Sequence, residues 1–188
     1  RVSMFTGQYV CRNRSLFFRE ADHVNCRRGS DFIEALKGEG YRIGLSGKNH
    51  AFTDEYFDTW FDFREDYNHW GKVAGEIRES DQRVIDYRTT EKRQYFTQQY
   101  GGTCVLQEGV LDAPEPFPEE ECMTHRIAED AMTFIERYRD ESFFLYYSFP
   151  DPHWPNVVCE PYFSMYDPES IDELEGLELD WDSHPFAH

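Results

Sequence analysis

The stretch LKGEGYRIGLSGKNH, Leu36 to His50, joins the end of a helix to an apolar strand and then to a polar loop. Just before it, Ser30-Asp31 offers an N-cap, and Glu34 is placed to support the first turn. Phe32, Ile33 and Leu36 make one apolar face, and Gly38 and Gly40 end the helix. Tyr41 to Ser46 (YRIGLS) is short, apolar and bounded by glycine, as a buried strand is. The loop after it carries Gly47, Lys48, Asn49 and His50.

A second unit of the same kind lies further along the chain. Ile127, Ala131, Phe134, Ile135 and Tyr138 fall at helical spacing, and acidic residues crowd the N-terminal end of that segment. Ser142 to Phe149 (SFFLYYSF) is unbroken aromatic and apolar, the pattern of a strand buried on both faces. The loop PDPHWP, Pro150 to Pro155, comes directly after it. Two helix-then-strand units, each closing on a loop with histidine, predict an α/β domain with a largely parallel central sheet flanked by helices. Ligands of such sheets bind beyond the carboxyl ends of the strands, which places both histidine loops on that edge. From the residues alone, this is an anion-binding or hydrolytic α/β domain.

The rest of the chain is less regular. The opening RVSMFTGQY reads as a short helix stopping at Gly7, and Leu111 to Glu121 is a Pro-rich acidic connector. From Phe52 to about Gly102 the chain is aromatic and charged without a clean period, and no element is assigned there. Within it, Tyr56 to Trp70 has two readings, a sugar-stacking wall or a packing segment.

Composition bounds the function. With 37 acidic and 19 basic side chains the net charge is −18, so nucleic acid and anionic membrane are poor partners. An anionic substrate needs a local convergence of basic groups. No apolar run approaches the length of a membrane span, and no signal-peptide pattern opens the chain. Cys11, Cys26, Cys104, Cys122 and Cys159 include no CxxC pair, so neither a zinc site nor a closed disulfide framework is expected, and they read as thiols without a role.

Three segments together resemble the formylglycine-dependent sulfatases of the alkaline-phosphatase-like superfamily. Leu36 to His50 is similar to the family's helix, GY, strand and GKxH loop. Ser142 to Ile171, SFFLYYSFPDPHWPNVVCEPYFSMYDPESI, is similar to its later buried strand, PHxP loop and PYF..YDP sequence. RVSMFTGQY resembles the helix that begins at the end of the nucleophile motif C/S-x-P-S-R, which makes Arg1 the last residue of that motif. Each match alone is a modest signal, and their ordered combination is strong. Asn49 stands where the family often has Trp.

The resemblance implies a sulfate-ester hydrolase with a formylglycine nucleophile and a divalent cation, commonly calcium. The nucleophile would lie just upstream of Arg1. The metal ligands, an Asp pair near the N-terminus and an Asp-Asn or Asp-His pair towards the C-terminal side, match no block of this chain. Residues 1–188 are thus expected to be part of one catalytic domain, without the C-terminal metal-ligand block and inactive in isolation. No metal ligand is assigned within them. What remains is the basic half of the site. Arg1 would orient the nucleophile loop, and Lys48 would sit over the sulfate oxygens as a fixed charge. His50 would act as a base on the formylglycine hydroxyl, and His153 would contact the ester oxygen and help protonate the leaving group. His23, His69, His125, His184 and His188 are read as structural or surface residues. The substrate would be a sulfated small molecule or glycan. A phosphonate or phosphate monoester hydrolase of the same superfamily, and a non-catalytic relative that binds a sulfated partner, are the alternatives.

Overall fold

The computed structural model describes residues 1–13, 31–91, 114–153 and 158–170. Its chain order begins with two short helices, α1 (Val2–Thr6) and α2 (Val10–Asn13), then α3 (Phe32–Gly38) and β1 (Arg42–Lys48). Next come α4 (Asp54–Trp60), β2 (Phe63–Asn68), β3 (Gly71–Ala74), α5 (Glu79–Asp86) and a π turn (Tyr87–Glu91). A 3-10 turn (Glu119–Glu121) leads into α6 (Met123–Tyr138) and β4 (Phe143–Ser148), and a last 3-10 turn spans Pro168–Ser170.

One predicted helix start and one predicted stop have a physical cause. Asp31 caps α3 by accepting from the Ile33 and Glu34 N–H groups at 2.9 and 3.1 Å, and Gly7 ends α1 in the left-handed region at φ 62°. The strands run β3-β2-β1-β4. β1 pairs in parallel with β2 and with β4, and β3 runs antiparallel to β2, so the sheet is mostly parallel, as expected.

Each face of β1 is covered by a different set of helices. Ile43 and Leu45 are fully buried with Val2, Phe5, Ile33, Phe52 and Phe57, a core that α1, α3 and α4 complete. The aromatic segment 56–70 contributes to it: Phe57 and Phe61 meet at 4.6 Å, Phe52 and Tyr56 stack at 4.7 Å, and Phe5 meets Phe52 at 4.6 Å. These side chains pack the core, which favours the packing reading over an exposed sugar wall. On the other face lies α6. Its Phe134 ring presses so close on Gly44 that an added Cβ would sit 2.5 Å from it. The Ser46 hydroxyl donates to the Ile127 carbonyl at 2.7 Å.

Three expectations need correction. β1 runs two residues further than Ser46, so Gly47 and Lys48 are strand residues rather than loop. The extension is possible because Gly47 adopts φ +109° and lets the Ser148 carbonyl approach where a Cβ would lie 1.8 Å away. β4 is the edge of the described sheet and is half-buried, with Tyr147 exposed, rather than buried on both faces. The unassigned region 52–102 contains α4, β2, β3, α5 and the π turn within its described part.

Candidate active site

Parallel strands end on one side, so the carboxyl ends of β2, β1 and β4 form a continuous edge. The sequence-predicted residues meet there. Lys48 is the last residue of the central strand and is buried. Burial pushes its ammonium below the usual lysine pKa, and repulsion from Arg1 adds to this, while Asp151 works in the opposite direction. Among the described residues Lys48 enters no ion pair, unlike the other buried lysine, Lys72.

Arg1 is built into this edge. Its guanidinium donates to the Lys48 carbonyl at 2.7 Å and to the Asn49 carbonyl at 2.6 Å, and stands 6.0 Å from the Tyr146 ring centroid. It clamps the end of β1 to the start of α1. Asn49 folds the next turn. Its side-chain oxygen accepts from the Ala51 and Phe52 N–H groups, both at 2.9 Å, and its amide donates to the Phe52 carbonyl at 2.8 Å. Asn49 therefore shapes the loop. Within that turn His50 adopts φ 58°, a left-handed conformation that a residue with a side chain rarely takes and that clusters at functional sites.

His153 comes from the loop after β4. Its N–H donates to the Pro150 carbonyl at 3.0 Å, and the Thr124 hydroxyl on α6 holds Asp151 at 2.5 Å. The rest of the PHxP loop, residues 154–157, lies outside the described residues.

The sequence reading missed His69. It sits in the turn between β2 and β3, and its ring stacks on that of His153 with centroids 4.4 Å apart and planes 15° from parallel. His69, read from the sequence as a structural or surface residue, is placed by this stack beside the predicted histidine. Burial and the charges of His153, Lys48, His50 and Arg88, in that order, push its pKa down to about 4. Arg88 supports the turn from beneath by donating to the His69 carbonyl at 3.2 Å, and is paired with buried Glu115 at 2.7 Å. A signal existed in the sequence: Asn68-His69-Trp70-Gly71 is turn-like and comes after an aromatic segment. Without β2 assigned, the turn had no place on the edge. His125 lies on α6, 3.7 Å from Glu129, while His23, His184 and His188 lie outside the described residues.

Arg88 is already paired with Glu115, while Lys48, Arg1 and three imidazoles against Asp151 suit an anion. They do not suit a hard divalent cation, which takes carboxylate and carbonyl oxygens. Among the described residues no group of three or more His, Cys, Asp or Glu side chains is placed to hold a metal. Among them, too, no helix is long and apolar enough to cross a membrane.

Comparison with known proteins agrees with this architecture. The sulfatase family model matches residues 1–173. No curated protein sequence matches the chain. Among solved structures, the chain is similar to the phosphonate monoester hydrolase SpPMH from Silicibacter pomeroyi, with TM-score 0.55 and 16% identity over 99% of this chain and 38% of that one. It is also similar to the phosphonate monoester hydrolase of Agrobacterium radiobacter, with TM-score 0.56 and 17% identity over 92% of this chain and 34% of that one. At these identities the likeness speaks for the fold, which is the alkaline-phosphatase-like one. The chain spans little more than a third of the length of these neighbours.

Proposed function

The chain belongs to the sulfatase family, and on that footing we propose that it carries the basic half of the active site of a sulfuric ester hydrolase. Residues 1–188 would then be part of one catalytic domain, with the nucleophile motif ending at Arg1 and the metal-ligand block elsewhere in the protein. The reading rests above all on Lys48, a buried ammonium outside every ion pair of the described residues, at the end of the central strand. A desolvated cation without an ion-pair partner costs free energy until an anion arrives, and a sulfate ester is such an anion.

The roles are those that the resemblance to the family implies. Lys48 faces the sulfate oxygens as a fixed charge and stabilises negative charge building up in the transition state. His153, on the loop beyond β4, contacts the ester oxygen and gives a proton to the leaving group. His50, from the turn after Lys48, acts as the base of the second half of the reaction. Arg1 holds the end of β1 in register with the nucleophile loop through its two carbonyl contacts. A formylglycine would supply the nucleophile and a divalent cation, calcium, would add positive charge, and none of the described residues is assigned to hold either. The substrate is a sulfated small molecule or glycan.

A second reading is hydrolysis of a phosphonate or phosphate monoester. It is favoured by the solved neighbours, both of which are phosphonate monoester hydrolases by name. The full-length protein should be assayed with a chromogenic aryl sulfate and with the matching phosphate and phosphonate esters, with and without calcium. Lys48→Ala and His153→Ala would be run beside wild type. Sulfate release that needs metal and collapses in both variants supports the proposal. Preference for the phosphonate or phosphate moves the protein to the neighbouring activity. Silence on every ester, with neither Cys nor Ser at the nucleophile position, makes it a binding protein.

A further inference from the structure

The stacked imidazoles come from strands that are not neighbours. β2 and β4 flank β1, so a ring just after β2 meets a ring just after β4 across the end of β1, where Lys48 stands. We infer that His69 is a positioning residue of this site: its ring is the platform that fixes the plane and place of the His153 imidazole, and it acts through that ring. The inference rests on the proposed role of His153.

The two partners sit on different loops. His69 sits on a braced turn. Arg88 donates to its carbonyl at 3.2 Å and is itself locked to buried Glu115, and the Trp70 N–H donates to the Asn68 side chain at 2.7 Å. His153 sits on a loop beyond the edge strand, with its own backbone bond to Pro150 and the Thr124–Asp151 bond next to it. A side chain so placed has two torsions to fix, and freezing them slows any reaction that needs one orientation unless a neighbour does so in advance. Near-parallel planes at 4.4 Å provide that neighbour.

Charge decides which ring is the platform. Two stacked imidazolium rings repel, and Lys48, His50 and Arg88 oppose any further positive charge on His69. His69 therefore stays neutral across the neutral range and serves as a flat, uncharged surface. A neutral aromatic ring of another kind should do the same work. A purely polar or proton-carrying role for His69 would not survive that exchange.

The test uses the full-length protein and whichever ester it hydrolyses. His69→Ala should lower kcat/KM by about 10- to 100-fold, with most of the change in kcat, because a misplacement of ~1 Å is worth up to about 100-fold. His69→Phe should recover to within about threefold of wild type, since it restores the stacking surface. In a His153→Ala background, adding His69→Ala should cost nothing more, because the residue it positions is gone. A second readout needs no turnover: the ring-current shift of the His153 imidazole protons by NMR should be lost in His69→Ala and kept in His69→Phe. The idea is overturned if His69→Phe is as slow as His69→Ala, if His69→Ala slows His153→Ala further, or if the ring-current shift does not depend on position 69. A wild-type protein that hydrolyses no ester refutes the proposed function instead, and the NMR comparison still decides this inference.

Discussion

Two buried lysines lie in one row of the sheet and live in opposite circumstances. Lys48 on β1 is in register with Tyr67 on β2, and Tyr67 is in register with Lys72 on β3. Lys72 is met by Glu65 at 2.5 Å and Asp130 at 3.0 Å. Asp130 also accepts from the Tyr67 hydroxyl at 2.6 Å and from Arg78 at 3.1 Å. Charge is balanced within that cluster, and burial plus the bond to Asp130 raises the Tyr67 hydroxyl pKa, keeping it a donor. Across Tyr67, Lys48 is surrounded by Arg1 and imidazoles, with Asp151 as the carboxylate that acts on it. The same residue type, buried to a similar degree, has its charge answered in one place and stands outside every ion pair of the described residues in the other, which is what the proposed anion-binding role uses.

The largest effect should come from breaking the balanced side. Lys72→Met removes the cation that serves two carboxylates, and leaving them buried without it should destabilise the protein by ~3–5 kcal/mol. Thermal and urea unfolding of the full-length protein measure this, and activity should be lost only in proportion to unfolding. Lys48→Met should do the reverse. It removes a desolvated charge that no described ion pair uses, so stability should hold within about 0.5 kcal/mol or rise, while kcat falls about 100- to 1000-fold, ~2.7–4 kcal/mol of transition-state stabilisation. Lys48→Met that unfolds the protein, or Lys72→Met that spares it, would erase the distinction.

How much of this was legible in the sequence depends on the kind of signal. The α3–β1 and α6–β4 units were readable because Asp31, the glycines and the apolar runs act locally. The parallel sheet came from them, and Arg1, Lys48, His50 and His153 could be placed at one edge through their motifs. The balanced cluster was not readable. Glu65, Tyr67, Lys72, Arg78 and Asp130 come from separate segments, and only the fold shows that they meet. β2 was hidden because FREDYN faces charged partners where a strand pattern expects apolar ones. His69 was lost with it, since a turn has meaning only once its strands are known.

The acid response should carry a smaller signature of the unbalanced side. His69 has a folded-state pKa pushed down to about 4, against 6.5 for an ordinary imidazole, by burial and by His153, Lys48, His50 and Arg88. Between those values the unfolded chain binds a proton that the folded chain refuses, so stability falls as pH drops through that window. The ring is only half-buried, and solvent screening reduces the loss to ~1 kcal/mol. Melting curves at about pH 7 and about pH 5 should show a larger fall for wild type than for His69→Phe, and added sulfate should narrow the gap. Equal falls would place the acid sensitivity elsewhere.

The smallest effect is the sharpest test of what balance means. Arg78 is the second cation on the structural cluster, bonded to Asp130 at 3.1 Å and 3.7 Å from Glu129, but 35% of its side chain faces solvent. Arg78→Met keeps the backbone N–H that donates to Asp81, so α5 retains its start. Asp130 keeps both Lys72 and the Tyr67 hydroxyl. If burial sets the worth of each charge, the cost should be only ~0.5 kcal/mol, as for a solvent-exposed pair. If instead the cluster needs as many cations as carboxylates, the loss should approach that of Lys72→Met. The difference between the two variants, read from the same urea titration, separates burial from counting. Only the first accords with the role proposed for Lys48, a buried lysine with no carboxylate in ion-pair reach among the described residues.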